Sequence, residues 1–180
     1  MKDFNRKNLS FSLCGLNCSL CPMNLDQHCP GCGGGAGNQS CSIARCSLEQ
    51  QTGQYCFQCS HYPCQRYDNI DRFDSFITHR HQKQDIEKFR KLGEELYSAE
   101  LQRKRDLLDH LLRTYNDGRR KTLFCVAVNL LELDDLKHII QELDSNTADL
   151  PLKEKAAYAA SSLQKTAADQ NITLKLLRKK

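Results

Sequence analysis

Hydrophobic and polar positions are distributed differently in the two parts of this chain. From Phe73 onward, leucine, isoleucine and phenylalanine recur every few positions, as in amphipathic helices. From Ser12 to Asp68 no stretch keeps a period of 3.6 or of 2 for long. The large aliphatic residues, methionine and phenylalanine of that stretch are Leu13, Leu16, Leu20, Met23, Leu25, Ile43, Leu48 and Phe57. The pattern predicts an irregular first third that buries little, followed by a helical remainder.

Residues 69–116 are predicted to be helical. Ile86, Phe89 and Leu96 share one face of the first helix, which Gly93 can interrupt. The apolar face of the next helix is made of Leu101, Leu108, Leu111, Leu112 and Tyr115. The sequence Asn-Asp-Gly at 116–118 is typical of a helix C-terminus, so we expect this helix to end there.

The apolar run TLFCVAVNLL, residues 122–131, is compatible with a buried strand or a helix. No turn signal interrupts it, which favours the helix. Asp134 and Asp135 place negative charge where a helix through Leu143 would begin.

Pro151 suits the first turn of an alanine-rich helix that reaches about Gln170. The closing segment alternates Ile172, Leu174 and Leu176 with polar residues, which predicts a short strand. Such a strand needs a partner, and the segment before Cys14 is the candidate.

The cysteines follow the same division, because ten of the eleven lie between Cys14 and Cys64 and only Cys125 lies outside. A segment with so little apolar material usually needs covalent or metal cross-links to fold. We therefore expect an α fold with an irregular part. Residues 1–68 form a small, loop-rich, cysteine-rich metal-binding module, and residues 69–180 form a mainly helical domain with one short terminal strand pair.

The opening residues MKDFNRKNLSFSL contain charges and no apolar core of a signal sequence, and no run is long enough to cross a membrane. These features predict a cytoplasmic protein whose thiols stay reduced, which counts against five disulfides. A secreted form that has lost its leader would have the same sequence. The net charge of +4, with both signs interleaved, argues against a strong polyanion binder.

The cysteine spacing is C-x3-C-x2-C-x7-C-x2-C-x8-C-x4-C-x9-C-x2-C-x4-C. It contains three C-x2-C pairs, and two intervening residues let a chain turn tightly enough to bring both sulfurs onto one ion with Zn–S of about 2.3 Å. The predicted metal ligands are Cys14, Cys18, Cys21, Cys29, Cys32, Cys41, Cys46, Cys56, Cys59 and Cys64. His28 and His61 could each replace a thiolate, although both are also ordinary loop residues. Cys125 lies in an apolar run and is expected to be an inert thiol.

Zinc is the predicted metal, because eight thiolates would fill two closed sites. The alternative is an iron–sulfur cluster. Cys14, Cys18 and Cys21 have a spacing that can hold three corners of a four-iron cluster, and Cys-Pro occurs twice, as it does after a ligand in bacterial ferredoxins. The spacing does not decide which cysteines share a site.

The motifs CGLNC-SLC, CPGC, CSIARC and CFQCSHYPC together resemble those of a family of cysteine-rich bacterial and archaeal proteins known as a domain of unknown function. The match runs from Cys14 to Cys64. The later segments NDGRRKTLFC and ITLKLL also resemble longer members of that family. The resemblance implies metal binding by the ten cysteines and assigns no catalytic role.

Three functions are compatible with this chain. No acid–base pair, nucleophile–base pair or phosphate loop is recognisable, which argues against an enzyme. The first hypothesis is a zinc-stapled module that binds another protein, and the second is an iron–sulfur redox accessory or electron carrier. The third is nucleic-acid binding through basic clusters at 103–105, 119–121 and 178–180, although acidic neighbours dilute the first of these.

Overall fold

The computed structural model describes residues 3–35 and 41–179, and within them the chain is mostly α-helical. Single 3-10 turns occur at Cys18–Leu20, Cys56–Gln58 and Gln65–Tyr67. The α-helices are α1 (Pro22–Leu25), α2 (Ser42–Glu49), α3 (Gln82–Leu92), α4 (Glu94–Thr114), α5 (Lys121–Leu130), α6 (Leu133–Asn146) and α7 (Leu152–Asp169). The prediction of a mainly helical fold is confirmed. None of the described helices is long and apolar enough to cross a bilayer.

The chain divides into two compact units. The first comprises Met1–Ala99 with Leu177–Lys180, and the second comprises Glu100–Leu176, so the boundary falls inside α4. Residues 69–99, which we expected to belong to the helical domain, pack with the cysteine-rich segment. The division at residue 68 into two separately folding domains stays a prediction.

The first unit has an aromatic core. The ring of Phe11 stacks on that of Phe89, with 4.8 Å between centroids, and lies 4.9 Å from the ring of Tyr97. Tyr55 completes the cluster at 4.4 Å from Phe89. The sequence interpretation underestimated this core because it did not count tyrosines or residues before Ser12. The cysteine-rich segment also buries its aromatic rings against α3 and the start of α4.

Cys14 and Gly15 lie directly against α3. The carbonyl oxygen of Cys14 accepts hydrogen bonds from the Tyr67 hydroxyl at 3.2 Å and from Gln82 Nε2 at 3.1 Å. Gly15 has φ +101°, and a Cβ at this position would overlap the carbonyl oxygen of Gln82. The glycine of the CGLNC motif therefore permits a close approach that no other residue would allow.

The break at Gly93 corrects one predicted helical face. α3 ends at Leu92, and α4 begins one residue after Gly93. Ile86 and Phe89 are buried as expected, but Leu96 is 62 % exposed. Because the break changes the helical register, Leu96 no longer lies on the face that its spacing from Phe89 suggests.

The second unit matches the periodicity of its sequence. Residues 122–131 lie in or directly after α5, so the apolar run is helical, and its side chains from Phe124 to Leu131 are buried. α7 begins directly after Pro151 and buries small alanine side chains and Leu163. On α4, the predicted stripe is buried at Leu101, Leu108, Leu111 and Tyr115, whereas Leu112 is partly exposed.

The predicted terminal strand pair is wrong for the described residues, which contain no strand. Near the C-terminus, Leu177 meets Asp74 rather than the segment before Cys14. The Asp74 amide donates to the Leu177 carbonyl oxygen at 2.7 Å, and the Leu177 amide donates to the Asp74 carboxylate at 2.7 Å. Two paired strands would join such residues by two backbone hydrogen bonds. Here the acceptor of the second bond is the Asp74 carboxylate instead of a backbone carbonyl group.

Candidate metal centre

All ten predicted ligand cysteines lie in the first unit, and each is a free thiol. Cys14 is buried and the other nine are partly buried. Cys125 is buried in α5, as expected for an inert thiol. Nine of the ten are therefore close to the surface, and most of the ten lie on turns or loops instead of inside regular helices.

Two of the C-x2-C pairs are built on the same local structure. A 3-10 turn begins at Cys18, and the Cys21 amide donates to the Cys18 carbonyl oxygen at 3.1 Å. A second turn begins at Cys56, and the Cys59 amide donates to the Cys56 carbonyl oxygen at 3.0 Å. The tight turns that the spacing predicts are present at both pairs.

Cys18, Cys21, Cys29 and Cys32 form one neighbourhood, which we call the N-terminal thiol set. The pKa of Cys18 is raised to about 12, first by burial and then by the nearby thiols of Cys32, Cys21 and Cys29. This mutual effect means that the four groups are close enough to repel one another when ionised.

Backbone amides in this region donate to sulfur. The Cys32 amide donates to Cys18, and the amides of Met23 and Asn24 donate to Cys21. Burial raises the pKa of Cys21, and these two hydrogen bonds oppose it because they favour the thiolate. Amide-to-sulfur hydrogen bonds of this kind also tune thiolates that ligate metals.

Cys46, Cys56, Cys59 and Cys64 form the cavity thiol set, since all four line one small cavity. Its volume is about 30 Å³, enough for a single ion or one or two waters. Burial raises the pKa of Cys56 to about 11. A hydrogen bond with Tyr67 opposes the shift, and the Cys64 thiol adds to it.

Cys14 and Cys41 belong to neither set. The Cys14 sulfur lies 3.3 Å from the Ser12 hydroxyl, and burial raises its pKa well above the ordinary value. Its main thiol neighbours are Cys32, Cys56 and Cys41. The sequence spacing grouped Cys14 with Cys18 and Cys21, whereas the fold brings it close to the later cysteines.

No group of three or more His, Cys, Asp or Glu side chains within residues 3–35 and 41–179 is arranged so that it could hold a metal ion. The fold thus brings the predicted ligands into shared neighbourhoods without gathering them around one point. His28 is exposed. His61 is also exposed, with Nδ1 3.8 Å from the Cys59 sulfur, so it contacts a predicted ligand.

Two arginines beside the thiols were not predicted from the sequence. Arg66 is exposed and lines the cavity, and its pKa is raised by a hydrogen bond to the Cys46 thiol. Arg6 is buried and donates from Nη1 to the Cys32 carbonyl oxygen at 3.2 Å. Neither arginine belongs to a motif or a basic cluster, so no sequence signal distinguishes them from surface arginines.

No protein-family model, no curated protein and no solved structure matches this chain. The resemblance to the cysteine-rich family remains a prediction based on the motifs between Cys14 and Cys64.

Proposed function

We propose that this chain is a metal-binding protein in which zinc, held by the early cysteines, staples a module that binds another protein. The observation that carries the proposal is the cavity thiol set, in which four thiols line one small cavity without being gathered around one point. Four thiolates are a complete ligand set for tetrahedral zinc. The N-terminal thiol set supplies a second group of four, with amide donors directed at its sulfurs.

The donor chemistry suits a thiophilic ion. Cysteine side chains with neighbouring amide donors are the groups that a zinc–thiolate centre uses. Zinc, when bound, would cross-link loops that otherwise rely on few apolar contacts. The apparent binding energy of a structural zinc ion is about 10–16 kcal/mol, comparable with the net stability of a whole domain.

An iron–sulfur centre with a redox role is the alternative. It relied on Cys14, Cys18 and Cys21 acting as three corners of one cluster. The main thiol neighbours of Cys18 are instead Cys32, Cys21 and Cys29, and those of Cys14 are Cys32, Cys56 and Cys41. This arrangement favours pairing of C-x2-C units, which is typical of zinc sites.

A protein partner is favoured by the exposed aromatic residues of the first unit. Phe73 and Phe76 are both exposed in the segment between Tyr67 and α3. Aromatic side chains are enriched at protein interfaces. Nucleic-acid binding has less support, because the basic cluster at 103–105 is occupied within the fold. Lys104 Nζ donates to the Leu131 carbonyl oxygen at 2.8 Å, and Arg105 pairs with Asp109 at 3.0 Å.

The experiment is elemental analysis of protein expressed and purified without oxygen, with a visible absorption spectrum of the same sample. We expect about two zinc ions per chain, one for each set of four thiolates, and a colourless solution. A brown sample containing iron and sulfide would contradict the zinc proposal and favour the iron–sulfur alternative. A folded sample without either metal would refute both.

A further inference from the structure

Residues 70–79 form a loop that is held by the side chains of Asp74 and His79. One carboxylate oxygen of Asp74 accepts from the His79 amide at 2.7 Å, and the other accepts from the Leu177 amide at 2.7 Å. The His79 ring hydrogen-bonds through Nδ1 to the Ile70 carbonyl oxygen at 3.1 Å. These bonds join the two ends of the loop and connect it to residue 177. The fold therefore sets the positions of the side chains between them.

This fixed loop presents apolar side chains to solvent. Phe73 and Phe76 flank Asp74 in the chain and are 38 % and 49 % exposed. Leu177, which is 41 % exposed, is joined to Asp74 by a hydrogen bond in each direction. We call Phe73, Phe76 and Leu177 the apolar patch. Exposed apolar side chains grouped in this way mark interaction sites.

Two guanidinium groups lie beside the apolar patch. Arg72 Cζ is 5.3 Å from the centroid of the Phe73 ring. Arg178 Nη1 donates to the Ser75 carbonyl oxygen at 2.8 Å, directly before Phe76 in the chain. Within residues 3–35 and 41–179, neither arginine forms an ion pair with a carboxylate. Each exposed phenylalanine thus has an arginine beside it whose charge is not balanced by an acid.

The carboxylates of the same loop are already engaged. Asp71 pairs with Lys83 at 3.0 Å. Asp74 is buried, and both of its oxygens accept hydrogen bonds. Asp68 is the exposed acid at the start of the loop, whereas exposed Lys179 adds a further cation next to Arg178. The surface around the apolar patch is therefore predominantly positive.

We infer that this surface binds a segment of a partner protein in which acidic residues stand beside aromatic or aliphatic ones. The inference rests on the protein-binding part of the proposed function and not on its metal. The apolar side chains of the partner cover Phe73 and Phe76, and its carboxylates pair with Arg72 and Arg178, which can each bind a carboxylate through two donors. Because the loop is held before binding, little conformational entropy is lost when the partner docks.

Two other anionic partners fit the geometry less well. A nucleic acid strand would stack its bases on aromatic faces, but the Arg72 guanidinium lies over the Phe73 ring. An anionic bilayer would take up apolar groups to a depth of about 5–10 Å. More than half of the surface of Phe73 and of Phe76 is covered by the chain, so these rings lie along the surface and do not project from it.

The test uses the full chain and two double variants of this surface. Phe73→Ala with Phe76→Ala removes the rings, and Arg72→Gln with Arg178→Gln removes the charges. A displayed library of random short peptides is selected against the wild type, and the affinities of the selected peptides are measured for every variant at low and high salt. Vesicles containing phosphatidylserine and a polyuridine strand are the probes for the other two partners.

Matched controls remove the same groups elsewhere in the first unit. Leu92→Ala with Leu96→Ala removes two exposed apolar side chains, and Lys7→Gln with Lys91→Gln removes two exposed cations. Circular dichroism and zinc content are measured for every variant. Because all the substituted side chains are exposed, we expect both properties to equal those of the wild type.

We expect the selected peptides to carry aspartate or glutamate beside aromatic or aliphatic residues. Both variants of the surface should bind these peptides about 10-fold or more weakly than the wild type, and both controls should bind them as the wild type does. High salt should weaken binding to the wild type and to the phenylalanine variant. It should have little effect on the arginine variant, from which the charges have been removed.

Selected peptides without acidic residues, or full binding by the arginine variant, would overturn this inference. Loss of binding in the leucine control alone would also overturn it and would leave a protein-binding role at another surface. If no peptide is selected, the inference and the protein-binding role both fail, and vesicle or polyuridine binding that both surface variants lose would name the partner instead. The zinc content of the same samples tests the metal part of the proposed function separately.

Discussion

The two compact units of this chain are held together by different kinds of contact. The second unit buries leucine, valine and alanine side chains on consecutive helices, with backbone hydrogen bonds satisfied within each helix. In the first unit, most of the chain from Cys14 to Cys64 lies in turns and loops. Some of its backbone amides donate to sulfur, such as that of Met23, and the Asn24 amide donates both to the Cys21 sulfur and to the Cys21 carbonyl oxygen at 2.9 Å.

The comparison shows what thiols contribute to a segment poor in aliphatic residues. Sulfur atoms accept hydrogen bonds from some backbone amides, and under the proposed function zinc would cross-link the clustered thiols. The aromatic core around Phe11 and Phe89 contributes apolar burial beside them. On this account, metal binding dominates the stability of the first unit and has no part in that of the second.

The largest expected effect comes from removing one C-x2-C pair. Replacing both Cys56 and Cys59 with serine should abolish binding at the cavity thiol set, with loss of about one zinc per chain and of metal-binding energy on the order of 10 kcal/mol. Elemental analysis and circular dichroism measure the two consequences. Cys125→Ala is the matched control, because it removes a buried thiol from the second unit. A serine pair with full zinc content would contradict the assignment of these ligands.

A core deletion in the second unit should act without regard to metal. Phe124 is fully buried in α5, and Phe124→Ala should lower the free energy of unfolding by about 3–5 kcal/mol. Urea denaturation with and without a chelator measures the effect. We expect the same loss in both conditions and an unchanged zinc content. A loss of stability that differs with and without the chelator would contradict the proposal that metal binding has no part in the stability of the second unit.

The corresponding deletion in the first unit should depend on metal. Phe11→Ala removes the centre of the aromatic cluster and should also cost about 3–5 kcal/mol. Because the energy of metal binding is larger, we expect the zinc-loaded variant to remain folded and the chelated variant to unfold. Thermal denaturation of both forms tests this. An unfolded zinc-loaded variant would mean that the aromatic core, and not coordination, dominates.

A smaller effect is expected when Asp74 is substituted, because its carboxylate accepts a hydrogen bond from the Leu177 amide. Its carboxylate accepts from the amides of His79 and Leu177, both at 2.7 Å. Asp74→Asn replaces one acceptor oxygen with a donor and should cost about 1–3 kcal/mol. Hydrogen exchange at Leu177 and His79 would reveal the released segment. Unchanged exchange at both amides would show that the carboxylate is dispensable.

The smallest predicted effect is a pH dependence confined to the second unit. Burial of Asp144 favours its neutral form, but hydrogen bonds from Tyr115 at 2.6 Å and His110 at 2.9 Å outweigh this and hold its pKa below the ordinary 3.8. Because the folded pKa is lower than the unfolded one, the carboxylate stabilises the fold above pH 4 or so, and this stabilisation is lost as the pH falls through the folded pKa.

Asp144 is half exposed, so its contribution should be about 0.5 kcal/mol or less. Hydrogen exchange in α6 of wild type and Asp144→Asn, compared at pH 6 and in acid, measures it. The two proteins should differ at pH 6 and converge in acid. A difference that persists unchanged in acid would refute the assignment.

The sequence predicted what depends on local patterns. The periodicity of α5, α6 and α7 and the stop after α4 follow from spacing within one helix. Leu96 was misplaced because one glycine shifts the register. The predicted terminal strand was wrong for the described residues because five alternating residues, Ile172 to Leu176, do not specify a partner. The ten thiols were chosen as metal ligands by their spacing, and that choice stays a prediction.

The grouping of the thiols could not be predicted in the same way. The Cys32 thiol lies near that of Cys18 and also near those of Cys14, Cys41 and Cys56. Only the tertiary fold decides which thiols are neighbours. Arg6 was missed for a related reason. Its side chain donates to the carbonyl groups of Gln54 and Cys32 and lies against Gly33, and all three residues are distant in sequence.

The most direct test of the account is amide hydrogen exchange of the reduced protein before and after chelation, with the metal content of both samples measured. We predict that amides such as that of Cys56, which donates to the Leu13 carbonyl oxygen at 2.9 Å, lose their protection when the metal is removed. Those of α5, α6 and α7 should keep theirs. A reduced, metal-free protein that retains full protection between Cys14 and Cys64 would contradict the central claim.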